Sequence, residues 1–204
     1  MAYYPNRRQE KKLNRQGFRL VAGIDEAGRG SWAGPIVAAC VVLNPKVKIP
    51  GIKDSKLLRA PDRQKIFDKI TKLAIAWSVA EISQMKIDKM GINNANILAM
   101  EVASKKMTPR PDYLLIDAFQ INSSDIPIAS FIKGDYKIAS IAAASIVAKV
   151  SRDKLMDKFD GQYPEYGFKH HKGYGTNHHW QMIMEHGICH LHRKSFKPIK
   201  DLLS

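Results

Sequence analysis

Cysteine is scarce in this chain of 204 residues: Cys40 and Cys189 are the only two, and they stand far apart. With no paired spacing, neither a disulfide framework nor a cysteine-rich zinc site organises the fold, and a reducing cytoplasm is the expected compartment. Long apolar runs are missing too. No uninterrupted stretch reaches the roughly 18 residues that a membrane-spanning helix needs. Acids are in deficit, with Asp and Glu numbering 19 against 33 Lys and Arg for a net charge of +14. Nucleic acid is therefore the leading partner class, ahead of a membrane surface. A signal-peptide pattern, internal repeats and low-complexity tracts are also lacking, so one main domain is expected over residues 19–204, behind a loosely ordered basic arm at 1–18.

What is present begins at Val21. The apolar lead of Leu20, Val21, Ala22 and Ile24 predicts a buried strand that runs into Asp25 and Glu26. Gly28, Gly30 and Gly34 follow, around Arg29. Taken alone, these residues fit two readings equally: a tight turn with solvated acids, or a cation site beside a loop that approaches a phosphate or sugar. Adjacent strand residues point to opposite faces, so Asp25 and Glu26 share a site only if the strand ends or bulges there.

Further along, residues 35–43 and 74–82 predict strands, with a helix from Pro61 to about Leu73 between them. A helix over about 87–106 is expected to break near Gly91, with one or two of Asn93, Asn94 and Asn96 serving as caps. Residues 111–119 repeat the first strand's design, since Leu114, Leu115 and Ile116 run into Asp117. A short strand over 126–132 leads to Asp135, and an alanine-rich helix is predicted over about 138–159. Function gathers at strand ends in α/β sheets, which points to convergence of these acids. All seven histidines fall after residue 169, interleaved with aromatic and basic residues, and read as solvated or phosphate-contacting groups.

Carboxylates at strand ends in a basic chain suit a hard, oxygen-ligated cation acting on a phosphodiester. A zinc site built from Cys189 with His186, His190 or His192 is the weaker alternative, having a single thiol. The glycine loop does not match a phosphate-binding Walker pattern.

Several motifs in one order resemble the type 2 ribonucleases H, in the branch of bacterial ribonuclease HII. They are Gly23-Ile-Asp-Glu-Ala-Gly-Arg-Gly30 with Gly34-Pro35, Asp54-Ser-Lys56, Asn96-Ile-Leu98, Leu115-Ile-Asp117 and Lys133-Gly-Asp135. Ala143 to Val150 with Arg152-Asp153, His171-Lys-Gly-Tyr-Gly-Thr176 and His192-Arg-Lys-Ser-Phe196 complete the series. The resemblance spans about residues 19–200. It implies an α/β, ribonuclease H-like fold, with a mixed central sheet flanked by helices and a C-terminal helical extension that walls the substrate groove.

It further implies an endonuclease acting on RNA-DNA hybrids and on ribonucleotides embedded in duplex DNA, leaving 5'-phosphate and 3'-hydroxyl ends. Asp25, Glu26, Asp117 and Asp135 would bind two divalent ions, Mn²⁺ or Mg²⁺. Gly28, Arg29 and Gly30 would meet the ribonucleotide at an RNA-to-DNA junction, and Tyr174 would contact its 2'-hydroxyl and the next, deoxy sugar. Lys56, Ser145 and Lys149 would touch phosphates. The expected working unit is a cytoplasmic monomer without a membrane partner. Ribonuclease HIII, which resembles the chain in its acids, differs by an extra N-terminal domain and by lacking the Gly-Arg-Gly loop. The rival reading is a non-catalytic basic nucleic-acid-binding protein, its acids serving as caps and strand ends.

Overall fold

The computed structural model describes residues 4–53, 55–119, 121 and 125–204, with Lys56 described through its backbone alone. Asp54 and the Lys56 side chain therefore lie outside the described residues. Helix α1 (Arg8–Arg15) leads into strands β1 (Val21–Ala27) and β2 (Ile36–Val42), then α2 (Ala60–Leu73) and β3 (Ala76–Ile82). Helices α3 (Gln84–Met90) and α4 (Ile92–Lys105) precede β4 (Tyr113–Asp117) and β5 (Ile128–Phe131). The short α5 (Gly134–Lys137), the long α6 (Ala139–Gln162), α7 (Phe168–His171) and α8 (Asn177–His186) follow.

The sheet order is β3-β2-β1-β4-β5. β1 pairs antiparallel with β2 and parallel with β4, while β2–β3 is antiparallel and β4–β5 parallel. This mixed sheet, covered on both faces, is the architecture implied by the resemblance. β2 is a nearly pure apolar run because it has no solvent face, and every residue from Ile36 to Val42 is buried.

Alternation along the strands splits the core into two layers. Ala22 and Ile24 join Ile87, Ala95, Ala99 and Met100 of α3 and α4, whereas Ala39 and Val41 join Ile66 and Ile70 of α2 and the alanines of α6. Small residues let α6 press onto β1. At Gly23 an added Cβ would stand 2.1 Å from the Ser140 carbonyl carbon. A third cluster, with Met156, Tyr166, Phe168, Ile183, Leu191 and Ile199, packs the C-terminal helices against Ala33.

Two expectations require correction. The N-terminal arm is not loosely ordered, for Arg8–Arg15 is a helix with Glu10 and Leu13 buried. Asn6 exchanges backbone bonds with Lys137 and Ala139, both at 3.0 Å, and Glu10 Oε1 accepts from Ser140 N at 2.9 Å. That carboxylate satisfies an otherwise unpaired amide in the first turn of α6, a capping role filled from 130 residues away. With one apolar residue in contact, the arm has no hydrophobic period to betray its helix.

The asparagines are the second correction. Ser83 caps α3, and α4 restarts at Gly91 (φ 80°) with no side-chain cap. Asn93 instead accepts from Arg29 Nη2 at 2.8 Å, Asn94 donates to Met90 O at 2.8 Å, and Asn96 is fully buried.

Candidate active site

Ile24 stands opposite Ile116 in the parallel β1–β4 pair. The next residue on each strand is an aspartate, and equal register puts both side chains on the α6 face. β5 then turns into α5, whose first turn carries Asp135, buried to 4% exposure. The result is a group in which carboxylate oxygens of Asp25, Asp117 and Asp135 lie within 4.8 Å of one another. Asp117 Oδ1 accepts from Gly134 N at 2.7 Å, and Asp25 Oδ1 from Glu26 N at 2.8 Å.

β1 remains regular through this point, since Asp25, Glu26 and Ala27 keep unbroken register with Ala39, Ala38 and Val37. No bulge turns Glu26 onto the face of Asp25. Glu26 stands outside the three-aspartate group but borders the same cleft. Burial first, then the charges of Glu26 and Asp117, hold the Asp25 carboxyl well above the usual carboxylate range. A hydrogen bond from Ser145 partly offsets this. Three crowded carboxylates facing mutual repulsion, all offering oxygen, make a fitting seat for a hard divalent cation.

The same cleft is bordered by Gly28, Arg29, Gly30, Ser145, Lys149 and Tyr174, so the structure brings these sequence candidates together with Asp25, Glu26 and Asp117. Ser145 sits behind the acids, bonded to Ser55 Oγ at 2.9 Å as well as to Asp25. Lys149 Nζ pairs with Asp153 Oδ1 at 2.7 Å and lies 5.5 Å from the Tyr174 ring centroid. Arg29 extends over Phe119 and onto Asn93.

Two residues whose motifs were legible but whose role was not stand behind this loop. Arg152 and Arg193 are both fully buried. Their signal in the sequence is a cation on a buried stripe, since Arg152 falls between Ala148 and Met156 at helical spacing.

The histidines also need correction. His171, His179 and His192 are core residues, 7%, 0% and 1% exposed, rather than solvated or phosphate-contacting groups. Cys189 N donates to His192 Nδ1 at 2.9 Å, which leaves His192 Nε2 as the donor to His179 Nε2 at 3.1 Å. His179 Nδ1 must then donate to Tyr174 O at 3.0 Å. This chain of neutral rings anchors the Tyr174 backbone beside the cleft. Among the described residues, Cys189 and the histidines form no three-ligand metal group.

Burial pushes His179 down to about 3 and His192 to about 4. The unfolded chain, with ordinary imidazoles near 6.5, takes up protons first as the pH falls. The stability contributed by the neutral pair is thus complete above pH 6.5 and is lost as the pH drops toward 4 and 3. Scanning calorimetry should show the melting temperature falling by roughly 4 °C or more between pH 7 and pH 5. A flat profile over that interval would contradict the buried neutral chain.

A family model described as Ribonuclease HII matches residues 22–199. Ribonuclease HII of Syntrophomonas wolfei subsp. wolfei is 50% identical over 197 residues, covering 97% of this chain and 77% of that relative. Ribonuclease HII of Caldicellulosiruptor saccharolyticus is 45% identical, covering 95% of this chain and 94% of its own length. Among solved structures, ribonuclease H2 from Pyrococcus horikoshii superposes with a TM-score of 0.76 at 26% identity, covering 90% of this chain and 97% of that one. Sequence likeness over nearly the whole length and a shared fold agree, and the chain belongs to the ribonuclease HII family, nucleases that hydrolyse RNA in RNA-DNA hybrids.

Proposed function

We propose that this ribonuclease nicks duplex DNA at embedded ribonucleotides as well as cutting hybrids, with Asp25, Glu26, Asp117 and Asp135 holding two divalent ions, Mn²⁺ or Mg²⁺. The observation that carries this reading is the common cleft, where Asp25, Glu26 and Asp117, with Asp135 grouped beside the two aspartates, meet Gly28, Arg29, Gly30 and Tyr174. When bound, the ions supply an activated water and neutralise charge at the scissile phosphate.

The chain's own groups do the rest. Ser145 and the Glu26 amide orient the Asp25 carboxylate. The Gly28 to Gly30 backbone comes close to the sugar and reads its 2'-hydroxyl, the one group that separates RNA from DNA there. Tyr174 packs on the sugar that follows, and Lys149 with Lys56 draws in the phosphate backbone. Basic side chains over the rest of the surface offset the repulsion between the acids and the strand. We read the working unit as a monomer acting in the cytoplasm, with Cys40 and Cys189 kept as thiols.

The test is a labelled DNA duplex with a single ribonucleotide, incubated with Mg²⁺ or Mn²⁺ and resolved on a denaturing gel. A nick beside the ribonucleotide is the expected product. Its absence with both ions would sink the proposal. Tyr174→Ala should lower kcat on this substrate by about tenfold or more while changing Kd less than about threefold, because its contact matters for sugar placement. Equal losses in both would make Tyr174 an adhesive contact.

A further inference from the structure

The loop that borders the cleft is held from behind by two cations. Arg152 donates to Pro35 O at 2.9 Å, Ala33 O at 3.0 Å, Ser31 Oγ at 2.7 Å and Lys172 O at 2.8 Å. Arg193 donates to Gly28 O at 2.7 Å, Arg29 O at 2.9 Å and Gly34 O at 3.0 Å. Six of these seven bonds end on residues 28–35, all on neutral oxygens. Burying two guanidiniums side by side is costly, and burial together with Arg152 pushes Arg193 down to about 9, which leaves it charged at neutral pH.

Peptide geometry gives its consequence. In a planar trans peptide, the N–H of one residue points opposite to the preceding C=O. Arg193 draws the Gly28 and Arg29 carbonyls inward, so the Arg29 and Gly30 amides are turned the other way, toward the cleft these residues border. Among the described residues neither amide has an internal acceptor. Gly28 makes the approach possible, since a Cβ there would stand 1.9 Å from Arg152 Nε. Arg152 also lies 5.5 Å from the Tyr174 ring centroid and holds Lys172 O, so one side chain ties the loop to the opposite wall of the cleft.

We propose that Arg152 and Arg193 are positioning residues that set where the enzyme cuts, by aiming the Arg29 and Gly30 amides at the ribose and fixing their separation from Tyr174. The inference rests on the reading of the Gly28–Gly30 loop as the part that meets the ribonucleotide. Lysine at either position keeps the charge but loses the planar fork that grips several carbonyls at once.

The experiment uses a DNA duplex with four consecutive ribonucleotides in one strand and measures the distribution of cut sites. This internal ratio does not depend on how much of the enzyme is folded or active. Wild-type protein should cut mainly at the RNA-to-DNA junction. In Arg193→Lys the ratio of junction to internal cuts should fall at least about tenfold, while the thermal shift induced by Mn²⁺ is retained. An unchanged ratio in an active variant overturns the inference, because a merely structural brace would lower yield without moving the cuts. Should Arg193→Lys fail to fold, Ser31→Ala removes a single hydroxyl between Arg152 and the Gly28 carbonyl and should lower the ratio about threefold. No change there also overturns it. Even cutting by the wild type is a distinct outcome, which defeats the junction reading itself.

Discussion

Replacing Asp25 with asparagine should abolish most metal-dependent cleavage and at the same time make the metal-free protein more stable. The expected loss in kcat/KM is at least about 10³-fold, or roughly 4 kcal/mol of transition-state stabilisation, because the proposed metal site loses one of its buried carboxylates. The gain in stability has the opposite origin. Burial, Glu26 and Asp117 all oppose the ionised form of Asp25, so bringing this carboxyl to its charged form is a cost to the fold. With a folded pKa raised above the unfolded one, that cost is absent at low pH and grows as the pH rises through the raised value.

An amide relieves this repulsion and still offers an oxygen to the Glu26 amide, which Asp25 accepts at 2.8 Å. The metal-free melting temperature should rise by about 2–4 °C, equivalent to ~1 kcal/mol in a chain of this size. Mn²⁺ should reverse the order. Saturating ion stabilises the wild type through linkage, by about 2.7 kcal/mol at a hundredfold excess over Kd, and Asp25→Asn should lose most of that shift. Wild-type cleavage rates in Asp25→Asn would remove Asp25 from the proposed site.

Gly23→Ala should produce the largest loss of stability from a single methyl group. Gly23 lies on β1 facing α6, two residues before Asp25, and its missing Cβ would meet Ser140 C at 2.1 Å, Ile141 N at 2.3 Å and Ser140 O at 2.3 Å. All three are backbone atoms in the first turn of α6, so no flexible side chain can move aside. The helix must lift from the strand, at a cost of about 3 kcal/mol or more, lowering the melting temperature by roughly 6–12 °C. Activity should fall as well, because α6 carries Ser145, Lys149 and Arg152. Gly30→Ala is the control for stability: nothing lies within 4 Å of its added Cβ, so its melting temperature should stay close to wild type. If Gly23→Ala melted within about 2 °C of wild type, the proposed tight contact between strand and helix would be wrong.

The elements nearest the site were legible because their patterns are local. Apolar runs ending in acid predicted β1 and β4 with Asp25 and Asp117 at their ends, and Gly91 marked the break between α3 and α4. In α8 the same local marks are present, with Gly187 at its end and Thr176 capping its start by accepting from His179 N. Strand pairing carries no such local mark. That β1 and β4 lie side by side and parallel, which is what brings the two aspartates onto one face, depends on contacts about 90 residues apart.

The misreadings share this cause. Seven histidines in a basic tail look solvated by composition, yet three are neutral core rings because Cys189 N serves His192, Tyr174 O serves His179, and Gly173 N and Tyr166 O serve His171. α1 has little apolar surface and is held by Asn6, Arg7 and Glu10 through bonds to distant backbone. By itself, the sequence determined the kind of chemistry: acids at strand ends, a glycine turn, an excess of cations and a set of motifs in family order. Only the tertiary structure decided where those side chains lie, placing three aspartates together, leaving Glu26 outside that group but on the border of the same cleft, and burying two arginines behind the loop. Hydrophobic periodicity is written along the chain, whereas polar groups in the interior find partners wherever the fold brings an unsatisfied donor or acceptor within reach.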